Sequence, residues 1–143
     1  MDTSVRIKHL EKMSFEGNVN GHKIVLDADP SVGGNNKGPR PKPMMLLSLA
    51  GCTAMDVVSI LRKMRVELED FDVEVQADQT DEHPKHYNKM HVIYYFKGKN
   101  LPKDKIEKAV NLSEERYCGV SYVYKNGPVK LTNEIQIEDT GNK

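Results

Sequence analysis

The chain has 143 residues, 38% of them hydrophobic and 29% charged, and its 21 basic side chains balance 21 acidic ones to a formal net charge of zero. That length suits a single compact domain, 1–143, with a core large enough to need neither a metal cluster nor a disulfide frame. Charge balance without a Lys/Arg block argues against a nucleic-acid partner, whose phosphates call for a basic surface, and against an anionic membrane surface.

The first residues, MDTSVRIKHLEK, mix charges into every turn and lack the apolar stretch of a secretory signal, so a cytoplasmic protein is expected. Val5–Val19 and Gly21–Ala28 read as a strand pair turning at Asn18-Val19-Asn20-Gly21, because Asn and Gly accept the positive φ of tight hairpins. Asp29–Pro43 (DPSVGGNNKGPRPKP) is too rich in Gly, Asn and Pro to continue a strand or a helix. It is a long loop of the kind that carries function or remains disordered.

Met44–Arg65 changes character: MMLLSLAGCTAMDVVSILRKMR has no proline, and its basic residues gather in the last turns where the helix dipole favours them. One long helix is predicted. It is apolar on almost every side, whereas one sheet of a small two-layer domain covers only one side. A second subunit is therefore expected on the other, making a homodimer. Asp56 and the tail of Arg62, Lys63 and Arg65 shorten the uninterrupted apolar run below a membrane crossing.

Further on, Phe71, Val73, Val75 and Ala77 alternate with Asp72, Glu74 and Gln76, as in a half-buried strand. The turn TDEHPKHYNK leads to a second strand, Met90–Phe96. Pro102 opens a helix running to about Tyr117, and Val129, Leu131, Ile135 and Ile137 form a closing strand after Asn126-Gly127-Pro128. The order ββαββαβ is an α+β arrangement. No nucleotide-binding or nucleophile-elbow string is present.

His83, His86 and His91 lie near Asp81 and Glu82, a set of metal-donor types, but Pro84 interrupts them and a polar turn is the simpler account; no metal or cofactor is expected. The seven Met residues read as core filler. Tyr117, Tyr122 and Tyr124 either line an apolar pocket or pack as ordinary aromatics.

Two cysteines remain, Cys52 and Cys118, 66 positions apart, which excludes a C-x-x-C or zinc-finger pattern. Such residues in a reducing compartment are either small buried hydrophobes or redox groups. Cys52 shares a helix face with Ser48, Met55, Asp56, Ser59 and Lys63, the one stripe that is not greasy. That position favours a thiol lining a pocket. Cys118 follows Glu114-Glu115-Arg116-Tyr117 near a helix end, where charges tune a thiol.

Three segments carry a resemblance. Gly38-Pro39-Arg40-Pro41-Lys42-Pro43, the apolar helix with Leu49-Ala50-Gly51-Cys52-Thr53-Ala54 and Asp56-Val57-Val58, and Leu112-Ser113-Glu114-Glu115-Arg116-Tyr117-Cys118 together resemble the two-cysteine pattern of the OsmC/Ohr family, over essentially the whole chain. The resemblance implies an intertwined homodimer in which two sheets wrap a pair of central helices, with the site at the subunit interface. It also implies thiol-dependent reduction of organic hydroperoxides: Cys52 peroxidatic, Cys118 resolving, and an external dithiol as reductant. In active members a hairpin arginine paired with a glutamate assists the first thiol. This sequence departs from both: the hairpin carries Asn18, Asn20 and His22, and Lys42 and Pro43 stand after Pro41. Arg40, or less directly Lys42, can substitute from the loop; each also reads as a solvated loop charge. The missing pair leaves a second reading open, an OsmC-like protein of weak or no activity that binds a small apolar or thiol-reactive ligand at the dimer interface.

Overall fold

The computed structural model describes residues 1–141; the last two residues of the expected 1–143 domain lie outside the described part. Contacts divide the chain into two compact units, Met1–Met45 and Leu46–Lys143.

The first unit holds a three-stranded antiparallel sheet, β1 (Arg6–His9), β2 (Phe15–Val19) and β3 (His22–Leu26), in that order. The strand expected over 5–19 is thus two strands. Between them Ser14 donates its N–H to Glu11 O (2.9 Å), Leu10 donates to Ser14 O (3.0 Å), and Lys12 takes a φ of +48°. The second turn lies where Asn and Gly announce it: Asn20 and Gly21 have φ of +52° and +82°, the left-handed pair a two-residue hairpin requires, and Gly21 N–H bonds Asn18 Oδ1 at 3.0 Å.

Residues 29–43 form a loop relieved by one 3₁₀ turn, Pro30–Val32, capped by Asp29. Buried Asp27 organises it. Its carboxylate accepts the backbone N–H groups of Ala28 (2.7 Å), Lys37 (3.0 Å) and Asn35 (3.2 Å), and these donors, Lys37 foremost, hold its pKa below the ordinary value. A Cβ at Gly34 or Gly38 would run into the backbone of Ala28 or Val25, so the loop folds back on the end of β3 only because both positions are glycine.

In the second unit β4 (Asp70–Gln79), β5 (Tyr87–Gly98) and β6 (Lys130–Asp139) form a sheet with β5 in the middle. The β4–β5 pair is antiparallel and the β5–β6 pair parallel. A parallel pair demands a crossover. It consists of α2 (Lys103–Leu112), a π-helical turn (Ser113–Tyr117) and α3 (Gly119–Lys125). Sequence reading extends one helix to Tyr117 and has no helix at 119–125; GVSYVYK, with its β-branched and aromatic residues, is a poor helix former that is held here by its surroundings. The fold class is α+β as expected, with one strand and one helix added.

Helix α1 (Met44–Lys63) ends two residues early, where Val66 N–H bonds Leu61 O and Arg65 turns to a φ of +60°. Leu49, Thr53, Val57 and Leu61 recur every four residues and form its buried stripe. Leu49, Val57 and Leu61 belong to one core with Met90, Val92, Tyr94 and Phe96 of β5 and Ile106, Ala109 and Val110 of α2. Each large apolar member contributes about 1.5–3 kcal/mol by leaving water. By length and composition alone α1 is long and apolar enough to cross a membrane, against the expectation that Asp56 and the basic tail leave too short an apolar run; the core helix of a soluble protein passes the same test. On its uncovered sides Leu47 and Met55 are 63% and 76% exposed.

Candidate active site: two thiols and a carboxylate

Cys52 and Asp56 are one helical turn apart on α1, both half-buried, and therefore lie side by side. The third member arrives from the crossover. At the end of α2 the backbone widens into the π turn, and Cys118 N–H closes it on Ser113 O at 2.7 Å. Such a widened turn displaces the following residue from the path of an ordinary helix. Cys118 then leaves in extended conformation, caps α3, and accepts Ser121 N–H on its Sγ at 3.3 Å. The outcome is that Cys52 Sγ, Cys118 Sγ and a carboxylate oxygen of Asp56 all lie within 4.8 Å of one another. Both thiols are free.

Two buried polar groups hold this arrangement. Ser113 donates from Oγ to Asp56 Oδ2 at 3.0 Å, fixing the carboxylate rotamer. Glu114 accepts from Tyr94 Oη on Oε2 (2.6 Å) and from Asn133 Nδ2 on both oxygens (2.9 Å), so a side chain of the π turn is tied to β5 and β6. Its carbonyl accepts Lys125 Nζ at 2.9 Å. Burial, and then the bond to Glu114, raises the Tyr94 phenol well above its ordinary value.

The thiols differ in setting. Cys118 is 3% exposed. Burial, followed by the hydrogen bond to Cys52, pushes its pKa up to about 12 against the smaller opposing pull of the Ser121 and Val120 N–H groups. Its setting thus favours the protonated form of Cys118, and Cys52 is the more accessible thiol.

Of the other sequence candidates, Arg40 lies in the first unit, on the loop. Its guanidinium donates to Asn36 Oδ1 (2.6 Å) and Gly38 O (3.2 Å) and forms an ion pair with Asp29 (3.3 Å). On the stripe beside Cys52, Ser48, Met55, Ser59 and Lys63 are exposed and only Asp56 turns into the cluster. The histidines do not converge: His91 binds Thr132 and Glu134, and His86 binds the carbonyl of Pro84. Tyr117 and Tyr122 are exposed, while Tyr124 packs at the edge of the core. Sequence reasoning placed Asp56 on the polar stripe beside Cys52, and gave no separate role to Ser113, Glu114, Tyr94 or Asn133. Their partners are remote in the chain, so no local pattern reveals them.

Comparison with known proteins agrees with this architecture. The chain is 31% identical over 133 residues to Protein YhfA of Escherichia coli K12, covering 92% of this chain and 96% of that one. Among solved structures it superposes on a hypothetical protein of Aquifex aeolicus VF5 with a TM-score of 0.80 at 27% identity, covering 97% and 100% of the two chains. It superposes on the organic hydroperoxide resistance protein OhrB of Bacillus subtilis with a TM-score of 0.65 at 15% identity, covering 93% and 96%, a likeness of fold. Residues 34–132, which carry most of the loop, the cysteine helix and the crossover, match the family model described as OsmC-like protein, and the chain belongs to that family.

Proposed function

We propose that this protein is a cytoplasmic thiol peroxidase that reduces organic hydroperoxides, with Cys52 as the peroxidatic and Cys118 as the resolving residue. The observation that carries the reading is the meeting of two sulfurs, 66 positions apart in the chain, within 4.8 Å of one another. Their unequal settings support the division of roles: the half-exposed Cys52 can meet a substrate, and the buried, protonated Cys118 can support it. OhrB, a fold neighbour, is named for organic hydroperoxide resistance.

The chemistry balances on these groups. The Cys52 thiolate attacks the outer peroxide oxygen, the O–O bond breaks, and the alkoxide leaves as an alcohol after taking a proton. Cys52 becomes a sulfenic acid. Cys118 sulfur then attacks that sulfur and displaces its hydroxyl, which departs as water with the Cys118 proton, leaving a disulfide. An external dithiol returns two electrons and two protons. With the two sulfurs within 4.8 Å, the Cys118 S–H is the proposed internal donor for the Cys52 thiolate, a part the family's hairpin arginine plays in active members. Arg40 is the further candidate cation; three of its five N–H donors serve its own loop. The subunit is proposed to act as a homodimer, with the uncovered side of α1 at the interface.

One observation favours the second reading, binding of an apolar or thiol-reactive ligand without turnover: Arg40 is already paired with Asp29. Thiol titration before and after one equivalent of cumene hydroperoxide, in metal-free buffer, separates the two. Rapid loss of two thiols per chain, abolished in Cys52→Ser and reduced to sulfenic acid formation in Cys118→Ser, is expected. Loss at the rate of free cysteine would leave the binding reading.

A further inference from the structure

We propose that the reduced Cys52–Asp56–Cys118 cluster is also a binding site for a thiophilic divalent cation, zinc above all. A tetrahedral zinc site places sulfur ligands about 2.3 Å and carboxylate oxygens about 2.0–2.2 Å from the metal, so neighbouring ligand atoms stand roughly 3.6–3.8 Å apart. The three ligand atoms lie within 4.8 Å of one another. Closing on a metal therefore asks for an approach of at most about 1 Å within each pair.

The donor set selects the cation. Two thiolates favour zinc and its soft neighbours over magnesium and calcium, which demand oxygen. Cys52 and Asp56 are presented at i and i+4 by one rigid helix, a spacing that puts both ligands on one face. Ligands in metal sites are commonly oriented by outer partners, and two are in place: Ser113 Oγ donates to Asp56 Oδ2 at 3.0 Å, and Ser121 N–H lies 3.3 Å from Cys118 Sγ. Three protein ligands leave the fourth tetrahedral position to water or a small thiol. No other group of three such donors comes this close together among the described residues.

Two thiols and one Zn²⁺ give a bis-thiolate complex and two protons released to solvent. A disulfide uses the same two sulfurs, so the cation and the disulfide exclude one another. The proposal does not rest on peroxidase activity, since a chain that never turns over hydroperoxide would hold the cation equally well.

The test is an anaerobic titration of the reduced, full-length protein with Co²⁺, followed by displacement with Zn²⁺ against a chromophoric chelator. One Co²⁺ per chain should bind with a thiolate-to-cobalt charge-transfer band and d–d bands of tetrahedral strength, and Zn²⁺ should abolish both. Cys52→Ser should weaken binding at least 100-fold, and Ser113→Ala about 10-fold or more. Asp56→Asn is the variant that decides if Cys118→Ser fails to fold: it keeps size and polarity, and it should weaken binding about 10–100-fold with unchanged circular dichroism. Absence of the charge-transfer band in protein with two titratable thiols would overturn the site. So would an Asp56→Asn variant that binds as tightly as the parent.

Discussion

Ser113 Oγ donates to Asp56 Oδ2 at 3.0 Å across 57 positions of sequence, and this bond holds the carboxylate that shares a cluster with the two thiols. Ser113 is fully buried. Removing its hydroxyl leaves a half-buried carboxylate without that partner, which costs about 1–3 kcal/mol. Ser113→Ala should therefore lower the urea midpoint in reducing buffer. The double variant Asp56→Ala/Ser113→Ala should be no less stable than the worse single variant by more than about 0.5 kcal/mol, the mark of one shared interaction.

The anchor of the π turn makes a separate prediction. Tyr94→Phe deletes the 2.6 Å bond to Glu114 and leaves that buried carboxyl to Asn133 alone. A loss of about 1.5–3 kcal/mol is expected for a hydrogen bond of this type, or a melting temperature lower by about 4–10 °C. Differential scanning calorimetry of the reduced protein measures it. Because the turn places Cys118, disulfide formation in this variant should also slow, whereas single-thiol reactivity of Cys52 should not.

The pH dependence of stability follows from Cys118, whose burial raises its pKa from an ordinary 9.0 to about 12 in the folded chain. Between these values the unfolded thiol has lost its proton and the folded one has kept it. The unfolded state then binds fewer protons, so stability falls as pH rises. The Cys118 contribution is fully present below about pH 9 and gone above about pH 12. Urea midpoints measured across pH 8–11 under reduction should fall more steeply for the parent than for Cys118→Ser. Alkylation at pH 8 should likewise mark Cys52 and spare Cys118 until the chain is unfolded.

The uncovered side of α1 predicts assembly. Leu47 and Met55 are more exposed than large apolar residues of a lone subunit need be, at 63% and 76%. Leu47→Glu and Met55→Glu should shift a dimer toward monomer in sedimentation velocity without loss of helical circular dichroism. A parent chain that sediments as a monomer at high micromolar concentration would contradict the homodimer.

Much of the framework was legible in the residues. The 44–63 helix shows in its composition, β4 in its strict alternation, and the Asn20-Gly21 hairpin in two residues tolerant of positive φ. The break at 10–14 was not, because MSFEG and the residues before it contain no Pro and the turn is made by Ser14 reaching back to Glu11. Helix α3 was hidden for the opposite reason. Its residues favour strands, and its geometry comes from a cysteine cap, a lysine bound to the Glu114 carbonyl and packing on its neighbours.

The sequence by itself determined which residues could do chemistry: two thiols, one of them on the single polar stripe of an apolar helix, in a pattern that belongs to the OsmC-like family. It determined the strand and helix periods as well, since alternation and helical spacing are local properties of the chain. Only the tertiary structure decided that Cys52, Asp56 and Cys118 meet, that Ser113 holds Asp56, and that Cys118 is the buried, protonated partner. Those facts depend on a π turn and a parallel crossover that bring residue 118 back to residue 52, and on the desolvation that this closure imposes. Neither distance nor desolvation is a property of any short stretch of sequence.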